Sequence, residues 1–161
     1  MHTRRLVLRP PSITDAPFYL ALMSDPTYIE NIGDRGINNL ADAIRYLHEF
    51  LAKSGDDNAL RVVEERESGR AIGLCGLLRR DFLEYQDLGY AFLPSDTGKG
   101  YAREAASAVL ETVVSERTCA IVSQSNVRSK KLLEDVGFSF VKMIKFPATG
   151  EDVEYWERPR P

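Results

Sequence analysis

The sequence has few cysteines and histidines and no long apolar run. Cys75 and Cys119 lie far apart with no C-x-x-C spacing, which favours two small buried thiols in a reducing compartment. His2 and His48 belong to no cluster with metal-ligand spacing, so we expect no metal. No apolar stretch is long enough to span a bilayer, and the N-terminus lacks the apolar core of a signal peptide. We therefore expect a cytoplasmic protein that has no membrane partner.

The chain also lacks a strong excess of either charge. It has 21 Lys and Arg against 24 Asp and Glu, a formal net charge of −3, and a pI near 5.5. This balance argues against general nucleic-acid binding. The 161 residues are enough to bury a core without disulfides but too few for two ordinary domains. No internal repeat is present, so we predict a single domain over residues 1–161.

Hydrophobic periodicity predicts seven strands and four helices. The strands are expected at 5–9, 59–65, 71–78, 87–93, 119–123, 138–146 and 153–157, and the helices at 15–25, 40–53, 101–116 and 126–135. Thr14 is the predicted N-cap of the first helix, 27–39 is a predicted loop, and 54–58 ends the second helix. Gly137 suits a left-handed cap after the last helix. The order describes an α/β or α+β domain whose middle strand–loop–helix–strand unit is a right-handed parallel crossover.

The segment Thr-Gly-Lys-Gly-Tyr-Ala at 97–102 is the strongest candidate for a ligand site. It lies between a strand that ends near Leu93 and a helix that begins near Tyr101. A glycine-rich turn at a helix N-terminus presents unpaired N–H groups and the positive end of the helix dipole to phosphate oxygens. Asp96 adds a carboxylate beside this loop, which would weaken pyrophosphate binding if the side chain faced the ligand.

Several kinds of loop compete for this glycine pattern. A Walker loop needs four residues between its glycines and then Lys-Ser/Thr, and a dinucleotide loop needs a third glycine where this chain has Arg103. The G-x-G/A core of the pyrophosphate loop in acetyl-coenzyme A enzymes does fit. Taken alone, however, Gly98 and Gly100 could simply make a tight turn before a helix.

Five segments spread along the chain together form a wider pattern. They read TRRLVLRP at 3–10, AIGLCG at 71–76, LGYAFLP at 88–94, GKGYAREA at 98–105 and NVRSKKLLEDVGF at 126–138. In order and spacing they resemble the GNAT superfamily of N-acetyltransferases, most closely the branch of ribosomal-protein alanine and serine N-terminal acetyltransferases. The resemblance implies the GNAT fold, a mixed central sheet of about six to seven strands flanked by about four helices. It also implies an enzyme that moves an acetyl group from acetyl-CoA to a primary amine, on a protein N-terminus or a small molecule, by direct attack in a ternary complex.

The resemblance further implies which residues hold the coenzyme. The backbone of Phe92 and Leu93 would pair with pantetheine like an added strand, and an N–H near there would polarise the thioester carbonyl. Asn126 would bond the pantetheine arm, or serve as a plain N-cap. Lys99 would add charge, or remain a solvated loop lysine. The loop would cradle the pyrophosphate through the backbone N–H groups from Gly98 to Ala102, and Thr97 would contact the coenzyme beside them. The expected coenzyme-binding residues of the loop are therefore Thr97, Gly98, Lys99, Gly100, Tyr101 and Ala102.

The catalytic residues are implied less directly. Ser129, one helical turn after Asn126, is the candidate proton donor to the departing thiolate, with a plain surface serine as the alternative. Tyr90 either reaches the cleft or packs. Glu84 is our candidate base, although a water relay needs no dedicated residue. The other carboxylates that we considered as bases are Asp87, Glu64 and Glu65, and we expect Glu104 to be structural.

Two further expectations concern function and assembly. A non-catalytic acyl-CoA-binding or interaction module that kept the GNAT fold is the alternative to an enzyme. Dimers are frequent in the superfamily that the sequence resembles, so a homodimer is a possible assembly.

Overall fold

One mixed sheet of seven strands organises the protein. The computed structural model describes residues 1–53 and 60–161. The strands are β1 (Leu6–Arg9), β2 (Arg61–Glu65), β3 (Ala71–Leu78), β4 (Asp87–Phe92), β5 (Arg117–Ser123), β6 (Ser139–Lys145) and β7 (Asp152–Pro159). The helices are α1 (Ala16–Met23), α2 (Pro26–Asn31), α3 (Leu40–Lys53), α4 (Tyr101–Leu110) and α5 (Val127–Asp135). The predicted mixed sheet with flanking helices is confirmed.

The sheet consists of two antiparallel parts that meet at one short parallel contact. Its strand order is β1-β2-β3-β4-β5-β7-β6. β4 and β5 are parallel, as predicted, but a single residue pair joins them, Asp87 with Cys119. By contrast, β3 and β4 are in register over six pairs, from Gly73–Phe92 to Leu78–Asp87. The last residues of β4 therefore have a strand on one side only, and a gap opens between β4 and β5 beyond Asp87.

Helices cover the two faces of the sheet and produce two large apolar clusters. Side chains of α4 and α5, such as Ala105 and Leu133, pack in one cluster with Val63. Side chains of α1 and α3, such as Leu47, pack in the other with Val62. Val62 and Val63 are neighbours in β2 and both are fully buried, because successive residues of a strand point to opposite faces.

Two predictions near the N-terminus are wrong. Thr14 is not an N-cap: a 3-10 turn at Ile13–Asp15 follows Ser12 and leads into α1. The predicted loop at 27–39 contains α2, which makes five α-helices among the described residues rather than about four. Asp25 accepts a hydrogen bond from the Thr27 N–H at 2.9 Å, and Pro26 occupies the first turn. Such caps stabilise a helix that is too short to give a periodic pattern.

The helix predicted at 101–116 is also too long. α4 ends at Leu110. Beyond it the Thr112 and Val113 N–H groups bond three residues back, and the Thr112 hydroxyl bonds to the Val109 carbonyl at 2.7 Å. A hydroxyl that bonds the local backbone competes with a continuing helix. The predicted helix end at 54–58, and the strand start at 59, lie outside the described residues.

Candidate active site

The glycine loop ends in a set of free backbone donors at the start of α4. Gly98 and Gly100 have φ angles of +78° and +82°, a region that favours glycine. Gly100 is the N-cap, and its carbonyl accepts from the Glu104 N–H at 3.1 Å. Within the part of the chain that the structure describes, no backbone N–H from Gly98 to Ala102 has a protein acceptor. These donors at a helix N-terminus can receive an anion.

Asp96 does not face this anion site. Its side chain is fully buried and forms a two-point ion pair with Arg70, with nitrogen–oxygen distances of 2.7 and 2.8 Å. The Arg70 guanidinium lowers the pKa of the Asp96 carboxyl to about 2. The Lys99 ammonium lies 3.2 Å from the same carboxylate. The negative charge is therefore already neutralised inside the protein, and the expected repulsion of pyrophosphate is absent.

Strand register decides which backbone groups of β4 face the gap. The Leu93 N–H donates to the Ile72 carbonyl at 2.9 Å, so Leu93 cannot offer this N–H to a ligand. Since backbone groups alternate along a strand, those of Tyr90 and Phe92 point the other way, towards the gap. At the paired end of the gap, the Cys119 N–H bonds to the Gln86 carbonyl, in agreement with this alternation. The predicted pantetheine contact at Phe92 therefore has backbone groups that face the gap, whereas at Leu93 the N–H is already bonded to β3.

Tyr90 and Ser129 come together across this gap. The Tyr90 hydroxyl lies 2.5 Å from the Ser129 Oγ and 3.2 Å from the Ser129 carbonyl oxygen. Asn126 is the N-cap of α5, since its side-chain oxygen accepts a hydrogen bond from the Ser129 N–H at 3.1 Å. Burial raises the pKa of Tyr90 to about 12, which keeps its proton in place at neutral pH. The two hydroxyls form a pair that can pass a proton.

Neither acidic residue near the start of β4 lies with the hydroxyl pair. Glu84 is exposed and precedes β4 by three residues, at the end where β4 and β5 are paired. Asp87 is 2% exposed and ion-paired with Arg80 at 3.1 Å. Burial raises the pKa of Asp87 to about 6 despite that partner. Asp87 also points to the face of β4 opposite Tyr90, because the two residues are three positions apart in the strand.

The remaining carboxylates serve structural contacts. Glu64 pairs with Arg9 at 2.6 Å. Glu65 accepts hydrogen bonds at 2.7 Å from the hydroxyls of Ser68 and Tyr101. Both carboxylates therefore take part in contacts within the fold.

Sequence reasoning missed the residues that hold the glycine loop from outside. Arg5 donates to the Lys99 carbonyl at 2.9 Å and pairs with Glu104 at 2.7 Å. Thr3 donates to the other oxygen of Glu104 at 2.6 Å. Arg70 holds Asp96 from the β2–β3 turn. These partners are far apart in the sequence, so no local pattern could reveal them.

The described residues contain neither a candidate metal site nor a candidate membrane span. Across residues 1–53 and 60–161, no group of three or more His, Cys, Asp and Glu side chains could hold a metal ion. In the same residues, no helix has the length and apolar character needed to cross a membrane.

Comparison with known proteins adds a family match. A family model described as an acetyltransferase (GNAT) domain matches residues 5–139. The uncharacterized protein YkkB of Bacillus subtilis (strain 168) is 31% identical over 94 residues. That alignment spans 54% of this chain and 54% of YkkB, so the chain covers about half the length of this curated relative.

Solved structures share the fold across nearly the whole chain. An acetyltransferase (GNAT family) from Bacillus anthracis is 20% identical, with a TM-score of 0.82 and coverage of 99% of this chain and 98% of that one. AAC(6')-Ib, solved in complex with paromomycin and acetyl-CoA, is 19% identical, with a TM-score of 0.74 and coverage of 97% of this chain and 94% of that one. At these identities the likeness concerns the fold.

Proposed function

Because this chain belongs to the GNAT acetyltransferase family, we propose that it is an N-acetyltransferase that uses acetyl-CoA to acetylate a primary amine. The observation that carries the proposal is the run of free N–H groups from Gly98 to Ala102 at the start of α4, beside the gap in the sheet. Backbone donors at a helix N-terminus suit the pyrophosphate of coenzyme A. They also suit a chain whose net charge is −3, since bulk attraction for a polyanion is missing.

In this proposal the coenzyme lies along the free side of β4. Pantetheine pairs with the backbone of Phe92, and the pyrophosphate lies on the loop that includes Thr97, Gly98, Gly100, Tyr101 and Ala102. Lys99 contributes charge next to the loop, although its ammonium is shared with Asp96. The Asn126 side-chain oxygen already accepts a hydrogen bond from the Ser129 N–H. Asn126 therefore bonds the pantetheine arm through its remaining side-chain hydrogen-bonding groups.

The reaction is a direct transfer in a ternary complex. The amine nitrogen attacks the thioester carbonyl carbon, while a backbone N–H of β4 stabilises the oxyanion. The attacking nitrogen, which is now positively charged, loses a proton to water. The carbon–sulfur bond then breaks, and the thiolate takes a proton from the Ser129 hydroxyl. Tyr90, 2.5 Å away, restores that proton from its own hydroxyl and is reprotonated from solvent.

We assign deprotonation of the acceptor ammonium to water that relays the proton to solvent. Glu84, the base predicted from sequence, is exposed at the end of the gap where β4 and β5 are paired, and it lacks a contact with the hydroxyl pair of Tyr90 and Ser129. Asp87 is enclosed with Arg80 on the opposite face of β4. Neither position supports a direct approach to an amine at Tyr90.

The finer assignments also belong to the proposal. The N-terminal motif and the loop sequence favour the branch that acetylates protein N-termini, with small amines as the second acceptor class. We further propose that residues 1–161 act as one domain, in the cytoplasm, with homodimerisation as the assembly to test.

The test combines coenzyme binding with an acceptor panel. Acetyl-CoA should raise the melting temperature, and thiol release should depend on an amine taken from peptides with free N-termini, polyamines and aminoglycosides. Gly98→Asp should abolish both, because it puts a charge in the anion site. Gly150→Asp is the matched control, since Gly150 has a φ of +71° and equally open surroundings in the β6–β7 turn.

Three outcomes distinguish the alternatives. Stabilisation by acetyl-CoA without amine-dependent thiol release would favour the non-catalytic module. Absence of stabilisation would refute both functions. Wild-type affinity in Gly98→Asp would refute the loop as the pyrophosphate site.

A further inference from the structure

The ion pair between Asp96 and Arg70 extends the contact between β3 and β4 beyond the last backbone hydrogen bond of that pair, from the Leu93 N–H to the Ile72 carbonyl. Arg70 follows the turn between β2 and β3, and Asp96 ends the 3-10 turn Pro94–Asp96 just before the glycine loop. Both carboxylate oxygens are engaged, at 2.7 and 2.8 Å, and the Ser95 hydroxyl lies 3.2 Å from one of them. This geometry fixes the position and the rotation of the carboxylate at once.

The loop beyond Asp96 has little else to hold it. A Cβ added at Gly98 would meet nothing within 4 Å. Thr97 bonds to the Pro94 carbonyl, through its N–H at 3.3 Å and its hydroxyl at 2.8 Å. Glycine is the residue that loses most conformational freedom on ordering, so two left-handed glycines need external support to keep one shape. Arg5 supplies that support at the Lys99 carbonyl, and Asp96 supplies it at the other end.

We propose that Asp96 is a positioning residue for the coenzyme loop, holding it through Arg70 in the shape that receives pyrophosphate before the coenzyme binds. The inference rests on the proposed function, because it assigns the loop to coenzyme A. Asp96 itself touches no ligand. Its effect on affinity comes from preorganisation, since a loop that is already ordered loses less entropy when it binds.

The sign of the effect separates positioning from simple electrostatics. Asp96→Asn leaves the positive charges of Arg70 and Lys99 without their carboxylate partner, which by itself should tighten the binding of a pyrophosphate. Loss of the two-point ion pair should loosen the loop and weaken binding. Positioning therefore predicts that the Kd for coenzyme A rises, by about tenfold, although the substitution makes the site more positive.

The matched control is a second buried aspartate with the same kind of partner. Asp15 pairs with Arg9 at 2.6 and 2.8 Å and is 6% exposed, but it anchors the start of α1 rather than the loop. Asp15→Asn should lose stability while the Kd for coenzyme A stays within about twofold of wild type. A general loss of stability would weaken coenzyme binding in both variants or in neither.

The experiment measures coenzyme A binding by calorimetry and acetyl transfer by thiol release, at a temperature well below both melting points. We expect Asp96→Asn to raise the Kd for coenzyme A and the KM for acetyl-CoA together, with kcat within about threefold of wild type. Arg70→Lys keeps the charge but loses the second bond, so it should raise the Kd by a smaller factor. It also provides the test if Asp96→Asn does not fold.

An unchanged or lower Kd in Asp96→Asn, or an equal rise in Asp15→Asn, would overturn the positioning role while leaving the proposed function intact. If wild-type protein does not bind coenzyme A at all, the proposed function fails, and the inference fails with it.

Discussion

Gly73 allows the side chain of Phe92 to lie across the neighbouring strand. A Cβ added at Gly73 would come within 2.5 Å of the Phe92 Cδ1 and 2.8 Å of the Ala91 carbonyl oxygen. Phe92, like Tyr90, is a β4 residue whose backbone faces the gap in the sheet. Replacing Gly73 with alanine is therefore expected to disturb the strand that we propose as the pantetheine site.

The cost follows from the two contacts. The Phe92 ring would have to retreat by about 0.9 Å to reach the 3.4 Å at which ordinary contact begins. The carbonyl oxygen belongs to the central strand β4, which is paired with β3 and cannot retreat freely. Overpacking of this kind costs about 2 kcal/mol. In a chain of this size that corresponds to a fall in melting temperature of about 4–8 °C.

Gly89→Ala is the matched control on the adjacent strand. Its new Cβ would meet the Leu78 Cδ1 at 3.0 Å, and a terminal methyl group can rotate away. Urea unfolding should show Gly73→Ala destabilised by about 2 kcal/mol and Gly89→Ala nearly unchanged, since alanine also restricts the unfolded chain. Calorimetry should show weaker coenzyme A binding in Gly73→Ala alone. Equal stability and equal affinity in the two variants would refute the steric reasoning and the place given to Phe92.

Three other substitutions test the site. Tyr90→Phe should lower kcat by at least about tenfold with little change in the KM for acetyl-CoA, because it removes the hydroxyl that reprotonates Ser129; thiol-release kinetics measure both. Glu84→Gln should leave kcat within about twofold of wild type in the same assay, because Glu84 lies at the end of the gap where β4 and β5 are paired. Asp87 has a pKa raised to about 6 in the fold and near 4 in the unfolded chain, so its ionisation makes the wild type less stable as the pH rises between these values. From pH 4.5 to 7, urea unfolding should show Asp87→Asn gaining about 2 kcal/mol relative to wild type.

Each of these predictions has a contradicting result. A normal kcat in Tyr90→Phe would leave Ser129 to act alone, and a large loss in Glu84→Gln would restore that residue as the base. A stability difference between Asp87→Asn and wild type that does not change with pH would show that Asp87 has an ordinary pKa in the fold.

Local patterns in the sequence were sufficient to predict most elements and the glycine loop before α4. The apolar run from Ala71 to Leu78 between turn residues predicts β3 with its observed bounds. Asn126 and Gly137 mark the two ends of the last helix, because capping depends on residues within one turn. The short α2 escaped prediction because six residues are too few to show a helical period.

The sequence by itself determined the fold class, the G-x-G loop before α4 and the pairing of Asn126 with Ser129, all of which depend on neighbouring residues. The tertiary structure alone decided that Asp96 faces Arg70, that Leu93 bonds to β3 and that Tyr90 meets Ser129. These contacts depend on strand register and on residues distant in the chain. A local pattern states which chemical groups are available, whereas only the packed sheet decides which of them remain free to bind a ligand.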